Sequence, residues 1–166
     1  TVLYRLPTWV STSHLGLSML FLALLLFIIV RLGDRRVALS AATQRAAGIG
    51  AIVVYAQLIL GAYVRHAGAG LACVDWPLCR GTLFPADGNA YLDVHMLHRL
   101  LGVIVLGVVI WVVARAWKET AGRLSLRVLL VGLPLLVATQ IGLGVWSITT
   151  FLAVEPVTLH LAVAAL

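Results

Sequence analysis

The stretch LLGVIVLGVVIWVVA, residues 100–114, decides the fold of this chain. It contains no charged residue and forms the centre of an apolar run over 94–117. A helix of roughly 20 apolar residues crosses a bilayer core about 30 Å thick, so this run predicts a membrane-spanning helix. Three further runs and the start of another lie at 9–30, at 46–64, at 126–148 and from Val157 onward. The sequence therefore predicts an all-α membrane protein with five transmembrane helices, the fifth truncated.

The overall composition agrees with a membrane protein. Hydrophobic residues make up 62% of the chain, charged residues make up 11%, and the mean hydropathy is +1.07. A soluble chain of 166 residues could not bury that much apolar surface in its own core. The net charge of +6 lies at the ends of apolar runs rather than in one patch, which argues against nucleic acid as a partner.

The positions of the basic residues predict the orientation, because cytoplasmic loops are rich in Lys and Arg. Eight of the 12 basic residues flank the first–second and third–fourth connections: Arg31, Arg35, Arg36, Arg45, Arg115, Lys118, Arg123 and Arg127. The opposite side carries Arg5, Arg65, Arg80 and Arg99 with Asp75, Asp87, Asp93 and Glu155. We therefore expect a multi-pass protein with loop 65–93 on the outer face of the membrane.

Two spans that run in the same direction begin alike. The matching residues are Pro7, Thr12, His14 and Leu15 in the first span and Pro156, Thr158, His160 and Leu161 in the fifth. This match predicts a repeat of four helices, with residues 41–166 as a C-terminal four-helix bundle. Residues 1–40 would be the last helix of a preceding bundle and a cytoplasmic linker. We expect a parent protein of roughly 300 residues with eight spans.

The five histidines lie on the outer half of this topology: His14, His66, His95, His98 and His160. Ionisable groups within a span are costly and usually functional, although a lone histidine is often only hydrogen-bonded to a neighbouring helix. His98 and His160 each lie about one turn into a span that enters from outside, so their imidazoles could meet at one level. Two facing neutral imidazoles suit bis-histidine heme ligation, whereas a closed zinc site needs four ligands.

The sequence leaves open which of two neighbouring histidines, His95 or His98, is the ligand. His95 projects from the same helix face, and spacing alone does not say which of the two histidines binds iron. We prefer His98 because it is deeper and is followed by Arg99, which could pair with a heme propionate. His95 is expected to line the pocket, and His66 is interpreted as a solvated residue at the edge of the loop.

The outer loop contains the segment CVDWPLC, residues 73–79. Cys73 and Cys79 lie on the oxidising side of the membrane, so we expect a disulfide that stiffens the loop over the mouth of the bundle. Five intervening residues do not make a CxxC redox motif, which favours a structural role for the pair.

Five segments resemble the heme A synthases, the bacterial CtaA and mitochondrial Cox15 group. They are GAYVR (61–65), CVDWPLCRG (73–81), HMLHR (95–99), QIGLG (140–144) and TLH (158–160). The resemblance covers nearly the whole chain and implies two pseudo-symmetric four-helix bundles in a bacterial plasma membrane. It implies that His98 and His160 are the axial ligands of one bundle and that His14 is a ligand of the other.

The resemblance also implies an activity. The family oxidises the C8 methyl of heme O to a formyl group, which gives heme A; one bundle takes heme O and the other holds heme b, with its iron, as a cofactor. The catalytic bundle carries a Glu three residues before its second-helix histidine, where this chain has His95. Residues 41–166 are thus expected to be the cofactor half, without a catalytic residue of their own. Implied partners are the lipid bilayer, a heme O synthase and an unidentified electron donor, and a homo-oligomer stays open.

Two other functions remain open from the residues alone. A bis-histidine membrane cytochrome b that only carries electrons would use the same ligands. A membrane thiol–disulfide oxidoreductase would depend on Cys73 and Cys79 instead. The cysteine loop favours the synthase, whereas a parent without Glu-x-x-His-Arg upstream would favour the electron carrier.

Overall fold

A computed structural model describes residues 6–32, 37–86 and 88–166 of the chain. These residues form five α-helices and one short 3₁₀ helix: α1 (Thr8–Leu32), α2 (Ala41–His66), the 3₁₀ helix (Ala69–Leu71), α3 (Ala90–Glu119), α4 (Leu124–Thr149) and α5 (Val154–Ala164). The predicted all-α fold is confirmed. Four residues used in the topology argument lie outside the described ranges: Arg5, Arg35, Arg36 and Asp87.

Helices α1 to α4 are long and apolar enough to cross a membrane, so the chain is a multi-pass membrane protein. Each contains one of the predicted apolar runs and extends beyond it at both ends. At the starts of α2 and α3 the extension follows from capping, because side-chain oxygens of Ser40 and Asn89 accept hydrogen bonds from the backbone N–H groups of Thr43 and Tyr91. Helix α5 starts at Val154, a little before the predicted start at Val157.

Successive helices pack against each other in antiparallel hairpins, and in the described ranges the closely packed helix pairs follow chain order from α1–α2 to α4–α5. Helix α1 approaches α2 through Gly16, where an added Cβ would lie 2.5 Å from Cδ1 of Ile59. The hydroxyl of Tyr55 on α2 donates to the carbonyl of Gly16 at 3.1 Å.

The end of the bundle that carries the α2–α3 loop is called the loop end. There the α2–α3 loop is closed by a disulfide between Cys73 and Cys79, whose Cα atoms are 5.8 Å apart. The disulfide packs in one buried cluster with Leu92 and Met96 of α3. The expected Cys73–Cys79 pairing is therefore confirmed, and it fastens the loop to the first turns of α3.

The opposite end of the bundle is tied by Glu119, the last residue of α3. Its carboxylate accepts hydrogen bonds from the backbone N–H and hydroxyl of Ser40, both at 2.7 Å. It also accepts one from the hydroxyl of Thr43 at 2.7 Å. A carboxylate suits this place because the first N–H groups of a helix lack partners within the helix. Glu119 thus joins the end of α3 to the start of α2.

Candidate functional site

The imidazole of His98 lies against a glycine of the neighbouring helix. His98 is half-buried on α3, and a Cβ added at Gly61 of α2 would lie 2.8 Å from its Cε1 atom. One turn earlier on α2, Nε2 of Gln57 donates to the backbone carbonyl of His98 at 3.0 Å. Gly102 of α3 leaves room for that amide, since a Cβ there would lie 3.2 Å from Nε2 of Gln57. His98 and Gln57 therefore each occupy a position opposite a glycine.

His160 is held in the same way on the next hairpin. A Cβ added at Gly144 of α4 would lie 3.3 Å from Cε1 of His160. Nε2 of Gln140 donates to the backbone carbonyl of His160 at 2.6 Å. In addition, Nδ1 of His160 lies 3.1 Å from the carbonyl oxygen of Gln140. Because a carbonyl only accepts, Nδ1 carries the proton, and Nε2 is left with the lone pair that a metal needs.

The two histidines lie at the same end of the bundle, within the first three turns of α3 and α5. That they share one site stays a prediction. Each comes from the helix that enters the bundle at the loop end, as the sequence predicts. The sequence reasoning gave Gln57, Gly61 and Gly102 no part in the site. A signal was present, since the Gln-x-x-x-Gly pattern at 57–61 in α2 recurs at 140–144 in α4, although α2 also carries this pattern at 44–48.

The donor set fits a heme iron better than a metal held by protein alone. Within the described residues, no group of three or more His, Cys, Asp or Glu side chains could hold a metal ion. A zinc site would need such a group, whereas a porphyrin supplies four nitrogens and leaves two positions for imidazoles. Nδ1 of His98 is buried without a hydrogen-bond partner in the described ranges, so the ring keeps unused donor or acceptor capacity inside the bundle.

His95 contacts the loop above the site. Its side chain is 4% exposed and lies near the backbone of Ala69 in the 3₁₀ helix. His98, one turn deeper, lies against Gly61. Because Nδ1 is buried without a hydrogen-bond partner in both rings in the described ranges, the preference for His98 as the ligand stays a prediction.

Arg99 also reaches the loop. Its guanidinium donates to the backbone carbonyl of Asp75 at 2.6 Å and to that of Cys73. It lies 5.8 Å from the centre of the Trp76 ring, within range of a cation–π contact. A guanidinium has five N–H donors, so these contacts leave donors for an anionic group. The expected pairing with a propionate stays a prediction.

The other two histidines lie on exposed surfaces. On α1, Thr12 and Gly16 are buried. A helix turns about 100° per residue, so His14 between them points away from α2, and it is exposed. His66 is exposed at the end of α2, as expected, and its carbonyl accepts a hydrogen bond from Thr8 at 3.2 Å.

Comparison with known proteins identifies relatives over the whole chain. The COX15-CtaA family model, described as cytochrome oxidase assembly protein, matches residues 1–166. The heme A synthase of Maricaulis maris is 35% identical over 175 residues, which covers 96% of this chain and 47% of that protein. The heme A synthase of Symbiobacterium thermophilum is 37% identical over 134 residues, which covers 71% of this chain and 42% of that protein. The chain thus spans about half the length of the curated relatives it matches.

Proposed function

The chain belongs to the COX15-CtaA family of cytochrome oxidase assembly proteins, and on that premise we propose that it forms the cofactor-heme half of a heme A synthase. The observation that carries the proposal is the pair of imidazoles at the loop end, each set against a glycine of the preceding helix. The relatives' printed name, heme A synthase, agrees with a site for heme.

In this proposal His98 and His160 would hold the iron of heme b. When bound, the heme supplies an iron that accepts and releases single electrons. The protein's part is to orient the imidazoles and to exclude water. For His160, the hydrogen bond from Nδ1 to the carbonyl of Gln140 fixes the tautomer that leaves Nε2 free. For His98, the close approach of Gly61 sets the position of the ring. His95 and Arg99 complete the site beneath the α2–α3 loop.

The proposed division of the chain places residues 41–166 in the cofactor bundle and residues 1–40 in the preceding, substrate bundle. The outward direction of His14, away from α2, supports this division, because a ligand of another bundle must face away from this one. The presence of His95 where the catalytic bundle carries Glu supports it as well. Heme O would then bind beside His14, and the oxidation of its C8 methyl to a formyl group would take place in that other bundle.

The proposed orientation puts the α2–α3 loop on the outer face of a bacterial plasma membrane. Arg115, Lys118, Arg123 and Arg127 flank the opposite end of α3 and α4, as expected for a cytoplasmic side. The disulfide at the loop end supports the same assignment, since disulfides persist on the oxidising side. An electron donor and a heme O synthase are the partners that the activity would require.

Heme A formation tests this proposal. Membranes that contain the expected eight-span parent protein, with both bundles, are supplied with heme O, and the products are analysed as pyridine hemochromes. His98→Ala and His160→Ala should each lower heme A formation at least tenfold, because the cofactor heme loses an axial ligand. His66→Ala is the matched control, since it removes an exposed imidazole at the same end of the bundle. Undiminished heme A formation in both ligand variants, or absence of heme A with the unaltered protein, would contradict the proposal.

A further inference from the structure

We propose that Gln57 and Gln140 are positioning residues that set the rotation of α3 and α5 about their axes, and so orient the planes of the two imidazoles. This inference rests on the proposed function, because it concerns the ligands of the proposed heme. It assigns a role to two polar residues that do not themselves bind the iron.

The first observation is a reciprocal contact between α2 and α3. Gln57 and Gly61 are one turn apart on α2, and His98 and Gly102 are one turn apart on α3. In this antiparallel pair His98 lies against Gly61, and the amide of Gln57 lies against Gly102. The hydrogen bond from Gln57 to the carbonyl of His98 then fixes where the backbone at the ligand sits relative to α2. Rotation of α3 would break this bond and drive the imidazole off its glycine.

The second observation is that α4 and α5 repeat the arrangement. Gln140 and Gly144 are again one turn apart, with the imidazole of His160 against the glycine. The amide of Gln140 donates to the carbonyl of His160, as the amide of Gln57 does to that of His98. A chance contact would not be expected at the same backbone atom of both ligands.

The third observation is the free-energy cost of burying the side chains of Gln57 and Gln140 in a membrane. The Oε1 atoms of Gln57 and Gln140 are both buried without a hydrogen-bond partner in the described part of the chain. An unpaired amide oxygen in a membrane interior is unfavourable, and a leucine would fill the same space without that penalty. Packing alone therefore does not explain the two amides. Their hydrogen bonds to the backbone carbonyls of His98 and His160 do.

Substitution of each glutamine by methionine tests the inference in the heme-loaded protein purified in detergent. Methionine keeps the length and flexibility of the side chain and removes the donor. Gln44→Met is the matched control, because Gln44 makes the same kind of bond, 2.8 Å from its Nε2 to the carbonyl of Leu39, on an exposed surface away from the histidines. The readouts are the electron paramagnetic resonance of the low-spin heme, which responds to the angle between the imidazole planes, and the rate of heme transfer to apomyoglobin.

We expect Gln57→Met and Gln140→Met to shift the largest g value and to speed heme loss about three- to tenfold, as the loss of one hydrogen bond implies. Gln44→Met should leave both readouts unchanged. If Gln57→Met does not accumulate in the membrane, Gln57→Asn serves instead, because its amide is one methylene too short to reach the carbonyl of His98.

The outcomes separate this inference from the proposed function. Unchanged g values and heme-loss rates in the glutamine variants, with only a lower unfolding temperature, would show that the amides are merely structural and would overturn the inference alone. Absence of a bis-histidine signal from the unaltered protein would overturn the proposed function and the inference with it. A shift in the two methionine variants that is absent from the Gln44 control supports the inference.

Discussion

At the scale of single residues, Gly61 and Gly144 differ in how closely the imidazole of the neighbouring helix approaches them. An added Cβ would lie 2.8 Å from the ring of His98 at Gly61 and 3.3 Å from the ring of His160 at Gly144. The first distance requires the imidazole to move, whereas the second requires an adjustment of a few tenths of an ångström. The position of His98 therefore depends more strongly on its glycine than the position of His160 does.

This difference predicts a graded response to alanine. Gly61→Ala should abolish low-spin heme binding or reduce it more than tenfold, and Gly144→Ala should reduce it only severalfold. Optical titration of the two variants with heme measures both effects. Gly48→Ala on α2 and Gly142→Ala on α4 are the controls, because an added Cβ meets nothing within 4 Å at either position. Equal losses in all four variants would contradict the assignment of the glycines.

Residue by residue, the placement of the histidines within spans could be read from the sequence, whereas only the Gln-x-x-x-Gly spacing pointed to the residues that support them. Imidazoles within a span stand out because ionisable groups are rare there. The role of Gln57 depends on a contact across two helices, which a pattern along one helix does not contain. The direction of Arg99 depends on the path of the α2–α3 loop, and so the two loop carbonyls that it binds could not be anticipated.

At the scale of the helices, apolar runs predicted where α1 to α4 cross the membrane, and polar caps at Ser40 and Asn89 mark where α2 and α3 begin. The Glu119 carboxylate, which binds Ser40 and Thr43, lies at the far end of α3 from His98. This contact could not be read from the sequence, because its partners are separated by two complete spans. It links α2 and α3 independently of the histidine site.

Thr43→Val should therefore lower stability without changing the heme. The hydroxyl of Thr43 is buried and donates to Glu119, so its loss should cost about 1 kcal/mol of unfolding free energy. Thermal unfolding in detergent measures the change. Thr149→Val is the control, since the exposed hydroxyl of Thr149 bonds only to carbonyls of its own helix. A change in the low-spin heme spectrum of Thr43→Val would contradict the independence of the two ends.

At the scale of the whole molecule, the all-α membrane fold and the family were both predictable from the sequence, and both are confirmed. The division at residue 40 and the repeat that relates α1 to α5 stay predictions. They depend on a preceding bundle that is itself only predicted. The orientation is likewise a proposal, which rests on the distribution of basic residues and on the disulfide at the loop end.

Labelling of introduced cysteines tests the orientation. Leu83 in the α2–α3 loop and Ser125 at the start of α4 are both exposed. A membrane-impermeant maleimide should label Leu83→Cys in intact cells, and it should label Ser125→Cys only after the membrane is permeabilised. Total labelling in detergent controls for the reactivity of each thiol. The reverse pattern would place the loop on the cytoplasmic side.

The central claim is that His98 and His160 hold one iron between them. Electron paramagnetic resonance of the purified, heme-loaded chain tests it most directly. The account predicts a low-spin bis-histidine signal that is lost in His98→Ala and in His160→Ala and that is kept in His14→Ala, whose side chain faces away from α2. Persistence of the low-spin signal in a variant that lacks both His98 and His160 would contradict it.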